Sequence, residues 1–336
     1  MNYRKRKPID WNDRYAQLCS LANKFRREDG NYDCLIPVSG GKDSHYLVYM
    51  MREVLGMNPL LVNVSDPFTH TEAGIKNLRN ISETFNCDLI QFNISPDLFR
   101  RAVRSNFEEF GHPLILVEAA IYTVPARIAI DLGIPFLIQG EDPNYEYGSV
   151  VEESPTSLYH IQKILNAVDL KFWTDRGFAK RELNSILSPT IPDWFYPIFM
   201  SYYDPWDGIT HMEVAKRYGF RDLTHEWDRE DAFESYDQID TVGWRMALWL
   251  KYPKFGFSRA TDIACRWIRE GRITRDEAIE LVNEYDHILD QKVLDDFLLL
   301  TGYSVREFWD IVEGFWNRDI FEKVNGVWRK KLSRHY

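Results

Sequence analysis

The first half of the chain alternates short continuous runs of apolar residues with longer stretches in which apolar positions recur at helical spacing. The apolar runs predict β-strands over 32–38, 59–64, 88–92 and 135–139. The helical stretches predict α-helices over 11–27, 44–55, 72–85, 96–109 and 115–132. Continuously apolar strands separated by helices are typical of a parallel sheet that is covered on both faces. The pattern therefore predicts an α/β fold with a parallel, doubly wound sheet, in which ligands bind beyond the carboxyl ends of the strands.

The pattern changes after residue 150. Aromatic residues are concentrated over 194–206, and the run 196–203 is compatible with one more strand of the sheet. Two Ser/Thr-x-x-Glu capping boxes then predict helix starts: Thr274 to Glu277, before a helix over 277–285, and Ser304 to Glu307, before a helix over 308–315. We therefore divide the chain into an N-terminal helix within 1–30, an α/β domain over 31–222 and a mostly helical C-terminal region over 223–336.

Composition sets the size and the class of the protein. The 336 residues, 45% of them hydrophobic, suffice for about two domains with a sizeable core. The net charge of −10 argues against a broad nucleic-acid surface, which normally needs a basic face, and the basic run 4–7 is expected to be a solvated tail. No stretch approaches the roughly 20 apolar residues of a membrane span, and no signal-peptide core follows the basic run. We expect a cytoplasmic protein that binds neither nucleic acid nor membrane.

One hexapeptide carries most of the chemical information: Ser-Gly-Gly-Lys-Asp-Ser at 39–44, directly after the apolar run 35–38. The two glycines lack a Cβ, so the backbone can approach a ligand closely and adopt φ > 0. The first amides of the following helix are unpaired donors at the positive end of the helix dipole, which makes this turn a cradle for phosphate. The lysine would neutralise phosphate charge, and the serine hydroxyls would donate further hydrogen bonds. The predicted phosphate contacts in this segment are Val38, Ser39, Gly40, Gly41, Lys42, Asp43 and Ser44.

Two further strand ends are expected at the same edge of the sheet. Asn63 and Val64 end the second predicted strand, where the adenine or ribose of a nucleotide could bind. Gly140 follows the fourth predicted strand and opens an acidic loop over 140–148. Carboxylates there would repel a triphosphate unless Mg²⁺ lay between them, because this cation prefers oxygen ligands and substrate phosphates; the alternative is a solvated loop. The candidates for holding metal-nucleotide or activated substrate are Glu141, Asp142 and Glu146, and the predicted Mg²⁺ ligands are Asp43 and Asp142.

The segment Ser-Gly-Gly-x-Asp-Ser resembles the PP-loop of the ATP pyrophosphatases, a superfamily that includes GMP, NAD, asparagine and argininosuccinate synthetases. It differs from the Walker P-loop, in which two glycines lie farther apart before Lys-Ser/Thr. The resemblance implies ATP and Mg²⁺ as cofactors, cleavage of ATP between the α and β phosphates, adenylation of a carbonyl oxygen and release of pyrophosphate. We accordingly expect four residues to take part in catalysis: Lys42, Asp43, Glu141 and Glu146.

Three blocks follow one another along the chain: 32–44, the loop 140–148, and Phe-Gly-Phe-Ser-Arg-Ala-Thr-Asp at 255–262. Together they resemble the bacterial N-acetyl sugar amidotransferases of surface-polysaccharide (lipopolysaccharide) biosynthesis. This resemblance implies that an N-acetyl group on a nucleotide-activated sugar is converted into an acetamidino group. In the third block Ser258 could cap a helix. The predicted substrate contacts are Lys254, Arg259, Thr261 and Asp262.

The cysteines depart from the pattern of that family, whose members commonly carry Cys-x-x-Cys pairs at the N-terminus and after a Gly-x-Pro. Here the N-terminus has no such pair, and Leu114 and Val117 stand where the internal thiols would be expected. We infer that a structural metal ribbon has been lost as a unit. The four scattered cysteines support neither a disulfide framework nor a zinc site.

The source of ammonia can be addressed from the same residues. A glutaminase needs a nucleophilic cysteine, either at a glycine-flanked elbow or freed at the N-terminus. Position 2 is Asn, and no cysteine of this chain has glycine neighbours. The resemblance implies a partner glutaminase subunit, with a tunnel subunit like those of imidazole glycerol phosphate synthase.

Three alternatives remain beside the sugar amidotransferase. A tRNA thiolase uses the same loop but is disfavoured by the missing Cys-x-x-Cys and the acidic charge balance. Amidation of another small molecule, in the manner of NAD or GMP synthetase, stays open. So does a catalytically inactive nucleotide-binding scaffold within a sugar-biosynthesis complex.

Overall fold

The computed structural model of this protein describes residues 9–143, 154–167, 170–184, 186 and 191–331. The chain falls into two compact units. The first unit consists of Met1–Asp66, Glu72–Ile94 and Leu116–Arg221. The second unit consists of Pro67–Thr71, Ser95–Ile115 and Asp222–Tyr336. The units thus divide near residue 222, but two segments of the first half, which we placed in the α/β domain, belong to the second unit.

The first unit is built on a parallel sheet, as the apolar runs predict. Within the described residues the sheet has five strands in the order β3-β2-β1-β4-β5, and every neighbouring pair is parallel. The strands are β1 (Cys34–Pro37), β2 (Pro59–Ser65), β3 (Leu89–Asn93), β4 (Phe136–Gln139) and β5 (Tyr196–Phe199). The four strands expected in the first half are confirmed. The fifth is shorter than the predicted run 196–203, because the chain turns into a helix at Met200.

The described helices follow the strands in alternation through the first half and dominate the second. In chain order they are α1 (Trp11–Phe25), α2 (Lys42–Tyr49), α3 (Glu72–Phe85), α4 (Pro96–Phe110), α5 (Ile115–Asp131), α6 (Leu158–Ala167), α7 (Leu170–Thr174), α8 (Lys180–Leu183), α9 (Met200–Tyr203), α10 (Gly208–Arg217), α11 (Arg245–Trp249), α12 (Lys251–Phe255), α13 (Arg259–Arg269), α14 (Arg275–Tyr285), α15 (Gln291–Thr301) and α16 (Val305–Glu313). The helix predicted over 44–55 begins two residues earlier and continues beyond α2 as a π-helical turn, Met50–Val54.

Helices cover both faces of the sheet. Ile36 belongs to a buried cluster that includes Leu47 of α2 and Ile81 of α3. Its strand neighbour Leu35 belongs to a separate buried cluster that includes Ala126 of α5. Successive side chains of a strand point to opposite faces, so burial of both residues requires a layer of helices on each side. Each such buried aliphatic side chain contributes about 1.5–3 kcal/mol, and the doubly wound arrangement is confirmed.

The second unit is mostly helical. Its aromatic core contains the Phe107 ring, whose centroid lies 5.5 Å from that of Phe308 and 5.1 Å from that of Phe297. Both predicted capping boxes form: the Thr274 hydroxyl accepts from the Glu277 amide, and the same arrangement opens α16. A short antiparallel hairpin, β6 (Phe321–Val324) and β7 (Val327–Lys330), was not predicted.

Two properties concern the whole of the described part. None of its helices is long and apolar enough to cross a membrane. Its four cysteines are all free thiols.

Candidate functional site

The loop after β1 has the geometry that its sequence predicts. Gly40 has φ +92°, a region that side chains with a Cβ rarely adopt. A Cβ added at Gly40 would lie 2.8 Å from the backbone nitrogen of Leu78 in α3, so the loop also needs glycine for close packing. Gly41 is the N-cap residue of α2, and no side chain in the described part of the structure caps this helix start. The first amides of α2 are therefore left without a side-chain cap, the arrangement found at helix starts that bind anions.

The two serine hydroxyls brace the loop. The Ser39 amide donates to Ser44 Oγ over 3.0 Å, and the Gly41 amide donates to Ser39 Oγ over 3.2 Å. The two hydroxyl oxygens are 3.4 Å apart, so one of them donates to the other. Because each hydroxyl has one hydrogen to donate, one of the two hydroxyls remains able to donate a hydrogen bond to a ligand.

Lys42 and Asp43 form an ion pair at the start of α2. The Lys42 Nζ lies 2.7 Å from each carboxylate oxygen of Asp43. The lysine side chain is buried, whereas that of Asp43 is 39% exposed. Burial by itself would raise the pKa of the Asp43 carboxyl, but the Lys42 ammonium and a hydrogen bond from His211 outweigh it and hold this pKa well below its usual range. The carboxylate is therefore ionised at neutral pH.

His211 is a member of the site that sequence reasoning missed. It lies in the first turns of α10, is fully buried, and places its Nδ1 2.6 Å from Asp43 Oδ1. Its ring stacks on the Tyr46 ring at a centroid distance of 4.0 Å, and the Tyr46 hydroxyl donates to Asp204 over 2.6 Å. Asp43 and Tyr46 lie three residues apart and so share one face of α2. Two such residues on one helix face were the one signal in the sequence that another helix would pack against this face of α2.

A second histidine ties the loop to α3. His45 is fully buried, and its Nδ1 lies 3.0 Å from the Gly41 carbonyl oxygen. Its Nε2 lies 3.2 Å from Asn80 Nδ2 of α3. Burial lowers the pKa of His45, which favours the neutral ring. In that form Nδ1–H donates to the carbonyl and Nε2 accepts from the amide, so the turn is held from both sides.

The other predicted strand-end residues lie beside this loop. Asn63 in β2 donates from Nδ2 to the Val38 carbonyl over 2.8 Å, so its amide braces the end of β1. Val64 is paired with Phe92 of β3 in the strand register. A Cβ at Gly140, after β4, would meet the Trp206 ring at 3.1 Å. Strand ends β1, β2 and β4 therefore meet at one edge of the sheet.

The acidic loop is described only in part. The Asp142 backbone amide donates to Ser201 Oγ over 2.9 Å, and its side chain is buried. Glu141 is partly buried, and Glu146 lies outside the described residues. Within the described part of the chain, no group of three His, Cys, Asp or Glu side chains is arranged to hold a metal ion. This does not conflict with a Mg²⁺ bound mainly through phosphates and water, with one or two carboxylates.

The predicted substrate residues all lie in the second unit, where each has a protein partner. Arg259 donates to both carboxylate oxygens of Asp237, over 2.7 and 2.8 Å. The Thr261 amide donates to Asp286, Lys251 binds Asp262, and Lys254 Nζ donates to the Phe110 carbonyl. The helix cap expected from Ser258 does not form. Its hydroxyl donates to Asp286 instead, over 2.9 Å.

Comparison with known proteins finds a family match for the C-terminal part. Residues 223–333 match the family model of the C-terminal domain of WbpG-like LPS biosynthesis proteins. The chain is also 27% identical, over 146 residues, to an uncharacterized protein of Methanocaldococcus jannaschii. That alignment covers 43% of this chain and 51% of the relative, so the chain matches about half the length of the curated relative.

Similarities to solved structures are weak. A U34-tRNA thiolase from Methanococcus maripaludis with its [4Fe-4S] cluster is 12% identical with a TM-score of 0.36, covering 88% of this chain and 81% of that one. An NH3-dependent NAD synthetase from Campylobacter jejuni is 12% identical with a TM-score of 0.35, covering 88% and 98%. Similarity of this extent does not establish an activity. The family match over residues 223–333 does confirm the predicted resemblance to proteins of lipopolysaccharide biosynthesis.

Proposed function

We propose that this chain is an ATP-dependent synthetase subunit that adenylates the N-acetyl carbonyl oxygen of a nucleotide-activated sugar and replaces that oxygen with nitrogen from ammonia. One observation carries the proposal: the glycine turn between β1 and α2, with Gly40 in the left-handed region and a helix start that no described side chain caps. The WbpG-like C-terminal domain supports a sugar of surface polysaccharide as the substrate class.

The first step forms a bond between the acetamide oxygen and the α-phosphorus of ATP and breaks the bond from that phosphorus to the β-phosphate. Pyrophosphate leaves with the electron pair of that bond. In this proposal Lys42 and the first amides of α2 stabilise its growing charge, together with one hydroxyl of the Ser39–Ser44 pair; the uncapped start of α2 supports this role. The contribution of the chain at this step is positioning and charge stabilisation.

In the second step ammonia attacks the activated carbon, and AMP leaves with the former amide oxygen. The acetamide, ATP and ammonia thus give the acetamidino sugar, AMP and pyrophosphate. Adenylation is needed because an amide oxygen is a poor leaving group, whereas AMP is a good one. We propose that ammonia reaches this chain from a partner glutaminase subunit through a tunnel subunit, because no cysteine of the chain has the setting of a glutaminase nucleophile.

Mg²⁺ would shield the phosphate charges from Asp43 and polarise the phosphorus that is attacked. Asp43 fits this role because its carboxylate is ionised and partly exposed at the mouth of the cradle. The buried Asp142 is the second proposed ligand, with Glu141 beside it.

A decisive experiment supplies the purified chain with ATP, Mg²⁺, ammonium and a panel of N-acetylated UDP- and CMP-sugars. We expect AMP, pyrophosphate and, by mass spectrometry, a product in which NH has replaced one oxygen. ADP and phosphate as products would refute adenylation. Pyrophosphate formation only with a substrate other than a sugar would favour the small-molecule amidating synthetase, and ATP binding without turnover would favour the scaffold.

The partner is tested in the same assay. We expect the isolated chain to use ammonium but not glutamine as its nitrogen source. Full activity with glutamine alone would refute a glutaminase supplied by another chain.

A further inference from the structure

The hydrogen bond between His211 and Asp43 joins the PP-loop to a helix far along the chain. A carboxylate oxygen only accepts hydrogen bonds, so His211 Nδ1 carries the proton and donates it to Asp43 over 2.6 Å. The other ring nitrogen, Nε2, is buried and has no hydrogen-bond partner among the described residues. The ring therefore has one polar contact, and this contact is Asp43.

Packing holds the His211 ring in that orientation. Tyr46 stacks on one face, with 23° between the ring planes. Trp206 meets the ring edge-on, with 4.4 Å between centroids. Asp207 caps α10 by accepting from the Ile209 and Thr210 amides, which fixes the start of the helix that carries the histidine. Both the ring and its backbone are thus restrained, and rotation away from Asp43 would cost stacking and leave the carboxylate without this donor.

Lys42, the other partner of Asp43, has a different character. Its ammonium sits on a flexible four-carbon stem and bonds both Asp43 oxygens equally. In the proposed reaction, pyrophosphate at the start of α2 would be a second acceptor for this ammonium. The flexible stem lets Lys42 exchange one acceptor for another, whereas the stacked rings of Tyr46 and Trp206 restrain His211.

We propose that His211 is a positioning residue that keeps Asp43 oriented toward the metal-phosphate side of the cradle while Lys42 passes from Asp43 to the pyrophosphate. This inference rests on the proposed function and deepens it. Without His211, Asp43 would lose its fixed partner at the moment when Lys42 turns away. Its carboxylate would then hold Mg²⁺ less well, and the binding of pyrophosphate would depend on a higher Mg²⁺ concentration.

The test compares two substitutions of this histidine. His211→Asn keeps a donor close to the position of Nδ1, and His211→Phe keeps an aromatic ring but has no donor. Isothermal calorimetry measures the affinity for pyrophosphate over a series of Mg²⁺ concentrations, and thermal unfolding is recorded in parallel. Thr123→Val is the matched control, because it removes a buried hydroxyl of α5 that donates to the Ala119 carbonyl on the other face of the sheet.

We expect His211→Phe to weaken Mg²⁺-dependent pyrophosphate binding about tenfold or more, the range for losing a hydrogen bond to a charged group. His211→Asn should recover most of that loss, and Thr123→Val should lower the melting temperature without changing the Mg²⁺ dependence. An unchanged Mg²⁺ dependence in His211→Phe would overturn the inference. So would equal impairment of the Phe and Asn variants, because the ring rather than its donor would then matter.

The wild-type protein separates this inference from the proposed function. If it binds Mg²⁺-ATP and pyrophosphate but never forms pyrophosphate from ATP, the proposed function fails, and the comparison of variants still decides the role of His211. If it binds neither ligand, both are refuted.

Discussion

The backbone nitrogen of Leu78 lies 2.8 Å from the point where a Cβ of Gly40 would stand, so the loop at 39–44 and α3 can pack this closely only because Gly40 has no side chain. The Cβ would be fixed to the backbone of the loop, and the atom it meets belongs to the backbone of α3. Neither can move aside as the end of a flexible side chain would. The loop is therefore shaped by its neighbour before any ligand arrives.

Gly40→Ala should unfold the loop region or the whole first unit at lower temperature. The substitution adds the cost of a left-handed conformation, about 1–2 kcal/mol, to a steric overlap with Leu78. Gly177→Ala is the control: it also has positive φ, +82°, but a Cβ there meets no described atom within 4 Å. We expect chemical denaturation to show a clearly larger loss for Gly40→Ala. Equal losses would mean that only the dihedral angle matters.

Lys42→Met should reduce pyrophosphate release by about 100-fold or more, the usual effect of removing one charge-stabilising donor. It also removes a cause of the low pKa of Asp43. A carboxyl with a depressed pKa in the folded state adds stability above its unfolded pKa, about 3.9, and this stability is lost as the pH falls toward the folded value. The stability advantage of wild type over Lys42→Met should therefore shrink below about pH 4.

The control for that prediction is Lys76→Met, which removes an exposed lysine of α3 paired with Glu72. We expect turnover to stay unchanged. Lys76 also lowers the pKa of Glu72, but both side chains are exposed and solvent screens the pair, so stability in acid should change much less than in Lys42→Met. Turnover that survives in Lys42→Met would contradict the role of this lysine.

Asp204 and Asp207 should respond to pH in opposite senses. Burial raises the pKa of Asp204, although its hydrogen bond from Tyr46 works against this. The folded state then binds more protons than the unfolded state between the two pKa values, so stability falls as the pH rises through this interval. Asp204→Asn can still accept from Tyr46, and we expect it to be more stable than wild type at pH 7, with the gain vanishing below about pH 4.

Asp207 shows the reverse behaviour. Burial would raise its pKa, but hydrogen bonds from Thr210 and from the helix amides outweigh this and lower it. Asp207→Ala should cost about 1 kcal/mol at neutral pH through loss of the cap, and the cost should fade in acid. Urea unfolding at a series of pH values checks both variants, and parallel profiles for the two would refute the assignment.

Arg259 offers a test of whether the C-terminal block binds substrate. Arg259→Leu leaves Asp237 partly buried without its bidentate partner, and we expect a loss of about 3–5 kcal/mol in the free energy of unfolding. Combining it with Asp237→Asn should restore much of this stability. If Arg259 only stabilises the fold, the double variant should recover activity together with stability. If it also binds the sugar nucleotide, the stable double variant keeps a raised KM for that substrate.

The sequence was sufficient for most of the sheet because β1, β2, β4 and β5 are short, largely apolar and mostly buried, a pattern with few alternatives. The edge strand β3 is partly exposed, and its prediction rested on a weaker pattern. The sequence was not sufficient at residue 200. The run 196–203 is apolar or aromatic apart from Ser201, so periodicity could not show that β5 ends at Phe199 and α9 begins at Met200. The hairpin β6–β7 did carry a usable sequence signal, the dipeptide Asn325-Gly326, which favours a two-residue hairpin turn. In the structure both residues have the positive φ that such a turn requires.

The candidate site divides in the same way. The loop at 39–44 was predictable because the strand, the glycine turn and the helix that form it follow one another directly in the sequence. The partner of Asp43 was not, because His211 lies 168 residues away and reaches the carboxylate only through packing of α10 on α2. Ser258 shows a third case: its position at a helix start is local, but a carboxylate 28 residues on competes for its hydroxyl.

The path of the chain between the two units limits how this protein can be divided or recombined. Phe68 and Phe107, from segments in the first half of the sequence, pack against Phe297 inside the second unit. A fragment that begins at residue 223 would lack these rings and leave an apolar gap in its own core. Residues 223–333, the part that matches the WbpG-like family model, therefore do not contain the whole core of the second unit, and exchanging them between related proteins would require transferring Pro67–Thr71 and Ser95–Ile115 with them.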